Sequence, residues 1–101
     1  MRKPERAILL TNYRIFETNE FIKKLKKLQP KDVPLIEGKL HARIYPQLKK
    51  EPYFGKNIKK LKGYNQDIWR YRIGRYRLFY TVNKEDNIVY ILTIDLRKDA
   101  Y

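Results

Sequence analysis

The sequence predicts an α+β domain: a helical hairpin packed on one face of a mostly antiparallel, twisted sheet, in the order β-α-α-β-β-β. Three patterns predict it. Residues 69 to 77 interleave arginines with apolar side chains, which suits strands whose successive side chains leave opposite faces. Ile36, Leu40, Ile44 and Leu48 recur every four residues as a helical core stripe. Upstream, Phe21, Leu25 and Leu28 share one helical face while lysines occupy the others.

Taken in order, Tyr13-Arg14-Ile15-Phe16 reads as a first strand, with aromatic and β-branched residues between polar neighbours. Thr18 or Asn19 caps the first helix, and Glu20 stands in its first turn, where the helix dipole favours negative charge. Pro30 ends that helix. Asp32 is expected to cap the second one, and Pro34 is tolerable in its first turn. Gly38 weakens the second helix by about 1 kcal/mol relative to alanine, Pro46 is expected to bend its last turns, and Glu51-Pro52 closes it. Residues 52 to 67 form a basic connection with one helical turn around Lys56 to Leu61. Three strands follow, at about 68 to 73, 75 to 82 and 87 to 95, the last two joined by a polar turn at 83 to 87. Ile88 to Ile94 is apolar at both parities, the mark of a central strand buried on both faces.

The strand parity has a chemical consequence. Trp69, Tyr71 and Ile73 leave one side of the ribbon, and Arg70 and Arg72 the other. After the Gly74 turn, Tyr76, Leu78, Tyr80 and Val82 share one face, while Arg75, Arg77, Phe79 and Thr81 share the opposite one. Residues 55 to 77 carry eight Lys or Arg (56, 59, 60, 62, 70, 72, 75, 77) against Asp67 alone. Such a sheet offers an apolar face to helices and a cationic face to a polyanion, read here as RNA, with Lys59, Lys60, Lys62 and Arg75 among the binding residues. The plainer alternative is that these arginines form ion pairs within the chain. Too few of its acids fall nearby to make that the better reading.

Composition narrows the classes. At 101 residues the chain holds one domain and one core. A formal net charge of +13 implies self-repulsion and attraction to phosphates, acidic membranes or an acidic protein. The absence of cysteine excludes disulfides and thiolate metal sites, and the single histidine, His41, cannot build a metal site alone. No export signal or membrane-length apolar run is seen, so the cytoplasm is the expected compartment. No conventional hydrolase constellation, P-loop or dinucleotide glycine pattern occurs. His41 reads as an exposed helix residue. An enzyme with these tools works with Arg, Lys and Tyr, by charge stabilisation and positioning, as in transesterification at an RNA phosphodiester.

Lys60-Leu61-Lys62-Gly63, then Arg70 through Tyr80, then Ile94-Asp95-Leu96-Arg97-Lys98-Asp99-Ala100-Tyr101, resemble the RelE/ParE superfamily of type II toxin–antitoxin toxins, closest to the RelE branch. The resemblance spans about residues 12 to 101, the expected RelE-like domain, leaving 1 to 11 as an N-terminal extension. It implies a RelE-like microbial ribonuclease-type fold and a metal-independent, ribosome-dependent mRNA endonuclease. In such toxins the 2′-hydroxyl attacks the adjacent phosphate and leaves a 2′,3′-cyclic phosphate, with no cofactor and no metal. The implied catalytic residues are Arg70, Arg72, Arg77, Arg97 and Tyr101, with Lys62 before the motif glycine. RelE-type enzymes often carry lysine where Arg70 and Arg72 stand, and a histidine of some relatives is replaced by Leu96. Arginine does not act readily as a base, so Lys62 or Tyr101 is the expected proton carrier. The implied partners are an acidic cognate antitoxin, the ribosome and mRNA, with no membrane. The chain is expected to be a monomer when free and a hetero-oligomer with antitoxin. Two other readings stand beside this one: a ParE-like inhibitor of DNA gyrase without ribonuclease activity, and a general RNA-binding domain without toxicity.

Overall fold

The computed structural model describes residues 12–96. The chain forms β1 (Arg14–Glu17), α1 (Asn19–Lys26), α2 (Asp32–Lys39), a π-helical turn (Leu40–Ile44), α3 (Tyr45–Lys50), β2 (Ile58–Leu61), β3 (Ile68–Ile73), β4 (Tyr76–Asn83) and β5 (Ile88–Leu96). The five strands make one sheet in the order β1-β5-β4-β3-β2. β1 runs parallel to β5, and every other neighbouring pair is antiparallel. The helices pack on one face of this sheet, as the α+β reading expects.

The core is the junction of the two predicted stripes. Phe21 and Leu25 from α1, with Ile36, Leu40, Ile44, Tyr45 and Leu48 from the second helical arm, cover Tyr71, Ile73, Tyr76, Leu78, Tyr80, Val89, Ile91 and Ile94. Trp69 is half-buried against this cluster and packs on Tyr53, with ring centroids 5.2 Å apart. Tyrosine hydroxyls tie the layers together. Tyr45 donates to Glu17 Oε2 at 2.6 Å, Tyr71 to Gln47 Oε1 at 2.7 Å, and Tyr80 to the Pro52 carbonyl at 2.6 Å. Burial pushes the phenols of Tyr45 and Tyr80 up, so both remain neutral donors at physiological pH.

The π turn answers a geometric difficulty in the stripe. Four residues of α-helix turn through about 400°, so each step from Ile36 to Leu48 overshoots by about 40°. The wider π turn absorbs that drift, and Leu40 and Ile44 stay buried. It also lies immediately before Pro46, whose ring clashes with the carbonyl four residues back and which has no N–H to donate. The bend expected at Pro46 is therefore taken up one turn earlier. At the other helix, Thr18 is the cap: its hydroxyl accepts from the Phe21 N–H at 3.2 Å and donates to the Ile91 carbonyl at 2.8 Å.

Four sequence expectations are corrected. The helical turn expected around Lys56 to Leu61 is instead the edge strand β2. Ile58 and Leu61 are three apart, a helical spacing, yet pairing with β3 overrides it and puts them on opposite faces. Its two central lysines suit an edge, because charge there discourages a second chain from pairing. Asp32 does not cap the second helix; the cap position is Lys31, with no side-chain bond. Asp32 instead accepts from the Tyr76 hydroxyl and, at 3.1 Å, from Arg75 Nη2. β4, not β5, is the central strand. Finally, the apolar residues at both parities of β5 reflect a bulge rather than burial on two faces. Phe79 pairs with Thr93 and Tyr80 with Ile91, leaving Leu92 extra, so Val89, Ile91 and Ile94 all reach the core. Gly74, at φ +57°, makes the tight β3–β4 turn that a side chain would strain.

These contacts predict measurable stabilities. Leu78, at 0% exposure, leaves a cavity in Leu78→Ala that costs about 2–5 kcal/mol in urea unfolding. At Gly38 an added Cβ meets nothing within 4 Å, so Gly38→Ala stabilises the chain by about 0.5–1 kcal/mol. The Tyr76 hydroxyl, then Arg75, hold the Asp32 carboxyl below its usual range. Its stabilising charge is complete above the unfolded value of about pH 3.9 and is lost as pH falls through the lower folded value. Asp32→Asn should therefore flatten the acid limb of a Tm-against-pH curve.

Candidate nucleic-acid interface

The face of the sheet turned away from the helices carries the arginines. Arg72 of β3 stands opposite Arg77 of β4, Arg70 opposite Phe79, and Lys59 of β2 opposite Arg70. Directly opposed residues lie about 4.5–5.5 Å apart at Cα, so the three arginines form one patch. Like charges opposed across a ladder oppose folding. Arg70 and Arg77 are half-buried and Arg72 is exposed, an arrangement in which long stems cover apolar surface while charged ends meet solvent. The Arg77 guanidinium lies 5.6 Å from the Phe79 ring centroid.

Among the described residues, a carboxylate enters the patch from β5. Asp95 of β5 is paired with Arg77 by register, and its Oδ1 is 2.9 Å from Lys24 Nζ of α1. The Asp95 hydrogen bond raises the Lys24 ammonium above its ordinary value. β1 ends its pairing at Glu17–Ile91, which leaves the Asp95 end of β5 open to α1. The acid is thus bridged to a lysine from outside the patch.

Beside the cations lies an apolar floor. Ile68, Phe79, Leu92 and Thr93, with Tyr64 and Asp95 at the rim, line an open cavity of about 300 Å³. Thr93 Oγ1 is buried there without a hydrogen-bond partner. Phe16 and Tyr90 extend the floor towards β1 as an edge-to-face pair 5.5 Å apart. Guanidinium groups beside exposed rings suit a single nucleic-acid strand: arginine takes phosphate oxygens, and rings stack on bases.

The predicted residues do not all converge. Arg70, Arg72, Arg77 and Lys59 share the patch. Lys62 is exposed in the turn after β2, next to Gly63. Lys60 stands opposite Trp69, with Nζ 6.0 Å from that ring and 3.5 Å from Asp67 Oδ1. Arg75 turns to the Asp32 side, 3.1 Å from its carboxylate, and lies over the Tyr76 ring. Arg97 and Tyr101 lie outside the described residues. His41 is exposed and sits by Tyr45 in a groove along β1, away from the arginines. Sequence reading placed Phe79 on the cationic face but missed the floor around it, because the bulge that adds Leu92 beside Phe79 breaks the strand's alternation. Among the described residues no group of three or more His, Cys, Asp or Glu stands ready to hold a metal, and no helix is long and apolar enough to cross a membrane.

The proteins that this chain resembles include toxins of toxin–antitoxin systems. The model of the ParE toxins of type II toxin–antitoxin systems matches residues 15–101. A Methanocaldococcus jannaschii protein that bears the name RelE1 is 32% identical over 80 residues, covering 79% of this chain and 84% of its own length. Among solved structures, the toxin chain of the RelBE2 toxin–antitoxin complex from Mycobacterium tuberculosis superposes with a TM-score of 0.67 at 27% identity, over 85% of this chain and 99% of that one. The archaeal RelE–RelB complex of Pyrococcus horikoshii gives 0.65 at 27%, over 86% and 97%. Isolated Escherichia coli RelE, at 20% identity and a TM-score of 0.62 over 85% of each chain, shares the fold. The matched span and the archaeal relative make this chain a member of the RelE/ParE superfamily of type II toxin–antitoxin toxins.

Proposed function

We propose that this toxin is a ribosome-dependent mRNA endonuclease. The observation that carries the reading is the patch of Arg70, Arg72 and Arg77 on the helix-free face, beside the Phe79 floor. In the proposed reaction the ribose 2′-hydroxyl attacks the adjacent phosphorus. The bond to the 5′-oxygen breaks, that oxygen takes up a proton, and a 2′,3′-cyclic phosphate remains. The substrate supplies its own nucleophile, so the protein has to position the strand and stabilise charge on the phosphoryl oxygens. Arg70, Arg72 and Arg77 are assigned to that charge, with Arg97 joining them on the resemblance to the family. Guanidinium groups stay protonated and His41 lies elsewhere, which leaves Lys62 and Tyr101 to move the proton. Lys59, opposite Arg70, sits where it can hold the strand at the β2 side of the patch.

The partner in this reading is an acidic antitoxin. A formal net charge of +13 favours one, and similar chains are solved as toxin–antitoxin complexes. An extended acidic segment that sets carboxylates against the arginines, or pairs with a free sheet edge at β1 or β2, would silence the face. One observation favours a second reading, poisoning of DNA gyrase: the matching family model is that of the ParE toxins.

Induced expression with primer extension on a translated reporter separates the two. The endonuclease reading expects discrete cuts inside the coding region. Growth arrest with intact transcripts and trapped, cleaved DNA would replace it with the gyrase reading. Arg77→Ala should abolish the cuts, with a thermal melt confirming that the variant still folds. Full cleavage by the folded Arg77→Ala variant would remove the patch from the mechanism.

A further inference from the structure

A second cationic pocket opens at the β3–β4 turn end of the sheet. Lys39, Arg43, Asn57 and Arg72 line a cavity of about 160 Å³ whose apolar wall includes Ile44 and Ile73. The fold makes it from three separate elements. Lys39 is the last residue of α2 and Arg43 belongs to the π turn, so the two stand one helical turn apart. β2 begins only at Ile58, and the Arg72 N–H bonds the Asn57 carbonyl at 3.0 Å. Among the described residues β3 has no strand neighbour on this edge beyond that rung, and the helical arm lies beside the gap.

The chemistry of the lining is one-sided. Three cationic residues and an amide line it, and among the described residues no carboxylate does. Neither Lys39, Arg43 nor Arg72 has an ion pair among the described residues. Gathering three like charges opposes folding unless an anion completes the site. The volume is below the roughly 300 Å³ at which small-molecule pockets begin, so it suits an anionic group rather than a whole nucleotide. Arg72 joins this pocket to the arginine patch, because it is opposed to Arg77 in the ladder.

We infer that this pocket binds a backbone phosphate of the RNA strand, outside the bond that is cut. Lys39 and Arg43 hold it from the helical arm and Asn57 from the sheet edge, while Arg72 borders it from the side of the patch. The inference rests on the RNA reading above and deepens it: the strand crosses the arginine patch and is gripped again at the end of the sheet. Lys39 and Arg43 then set affinity and register, not chemistry. Both are exposed, so they can be changed without disturbing the core.

Two measurements on the full chain test it, with thermal melts confirming that Lys39→Gln/Arg43→Gln folds. Inorganic phosphate titrated against ¹⁵N-labelled chain should give saturable shifts at the amides of Lys39, Arg43, Asn57 and Arg72, lost in the double variant. Binding of a short single-stranded RNA, made uncleavable by 2′-deoxy substitution, should weaken in the double variant. The slope of log affinity against log salt should fall by about 0.7, the value of one single-strand phosphate contact. Unchanged RNA affinity and slope overturn the inference, as do phosphate shifts absent from this pocket. A variant that loses binding of an acidic peptide while keeping that of RNA also overturns it, in favour of a partner's carboxylate. A chain that binds no RNA but still shows the saturable phosphate shifts retains the pocket and loses the RNA reading, so the two failures are distinguishable.

Discussion

The buried tyrosines decide which side of the sheet the helices occupy. Tyr71, Tyr76 and Tyr80 project from β3 and β4 into the core, and Tyr45 enters it from the helical arm. Each carries a hydroxyl that opposes burial unless it finds an acceptor. All four find one in another layer or at its margin: Gln47, Asp32, the Pro52 carbonyl and Glu17. The acceptors are spread along the helical arm and the segments flanking it, so the rings both fill the core and fix where the arm lies. With that face occupied, strand parity leaves Arg70, Arg72 and Arg77 on the other one. The cationic surface follows from the same alternation that builds the core.

The acids complete this division by being placed elsewhere. Asp32 takes Tyr76 and Arg75, Asp67 faces Lys60, Glu17 accepts from Tyr45, and Asp86 bonds Asn83 in the β4–β5 turn. Asp95 alone among them shares a ladder position with a patch arginine, and Lys24 reaches it from α1. The pairing of Arg75 and Asp32 shows the cost of treating every cation in an alternating run alike. Arg75 begins the strand pattern on paper, but it lies in the turn, where the backbone no longer dictates a face.

Much of this fold was legible because its strongest signals are periodic. The four-residue stripe from Ile36 to Leu48 named buried helix positions, and the alternation from Trp69 to Tyr80 named both faces of β3 and β4. What escaped was written in pairing rather than period. β2 carries a helical spacing and becomes a strand because β3 offers it a partner. The Leu92 bulge turns one periodic strand into two half-strands of opposite parity, which mimics a doubly buried one. Asp32 has the chemistry of a cap, and Tyr76, forty-four residues away, outcompetes the local N–H groups for it. The pocket of Lys39 and Arg43 likewise leaves no periodic signal, since it forms only where the short β2 exposes the β3 edge beside them.

The two-faced sheet also links stability to control. A chain that opposes Arg72 to Arg77 and gathers cations at both ends of that row has a folded state burdened by its own charge. An anionic ligand relieves that repulsion only in the folded state, so it stabilises the fold by mass action. RNA and an acidic partner would exploit the same excess charge and compete for the same face. Each would associate quickly at low salt, since charge complementarity acts mainly on encounter rates and is screened over about 10 Å at 0.1 M ionic strength. The other face of the sheet is already covered by the helices, and its tyrosine hydroxyls are matched. Any partner that must silence the chain therefore gains most by covering the sheet rather than the helices, and the arginine row sets where its carboxylates have to lie.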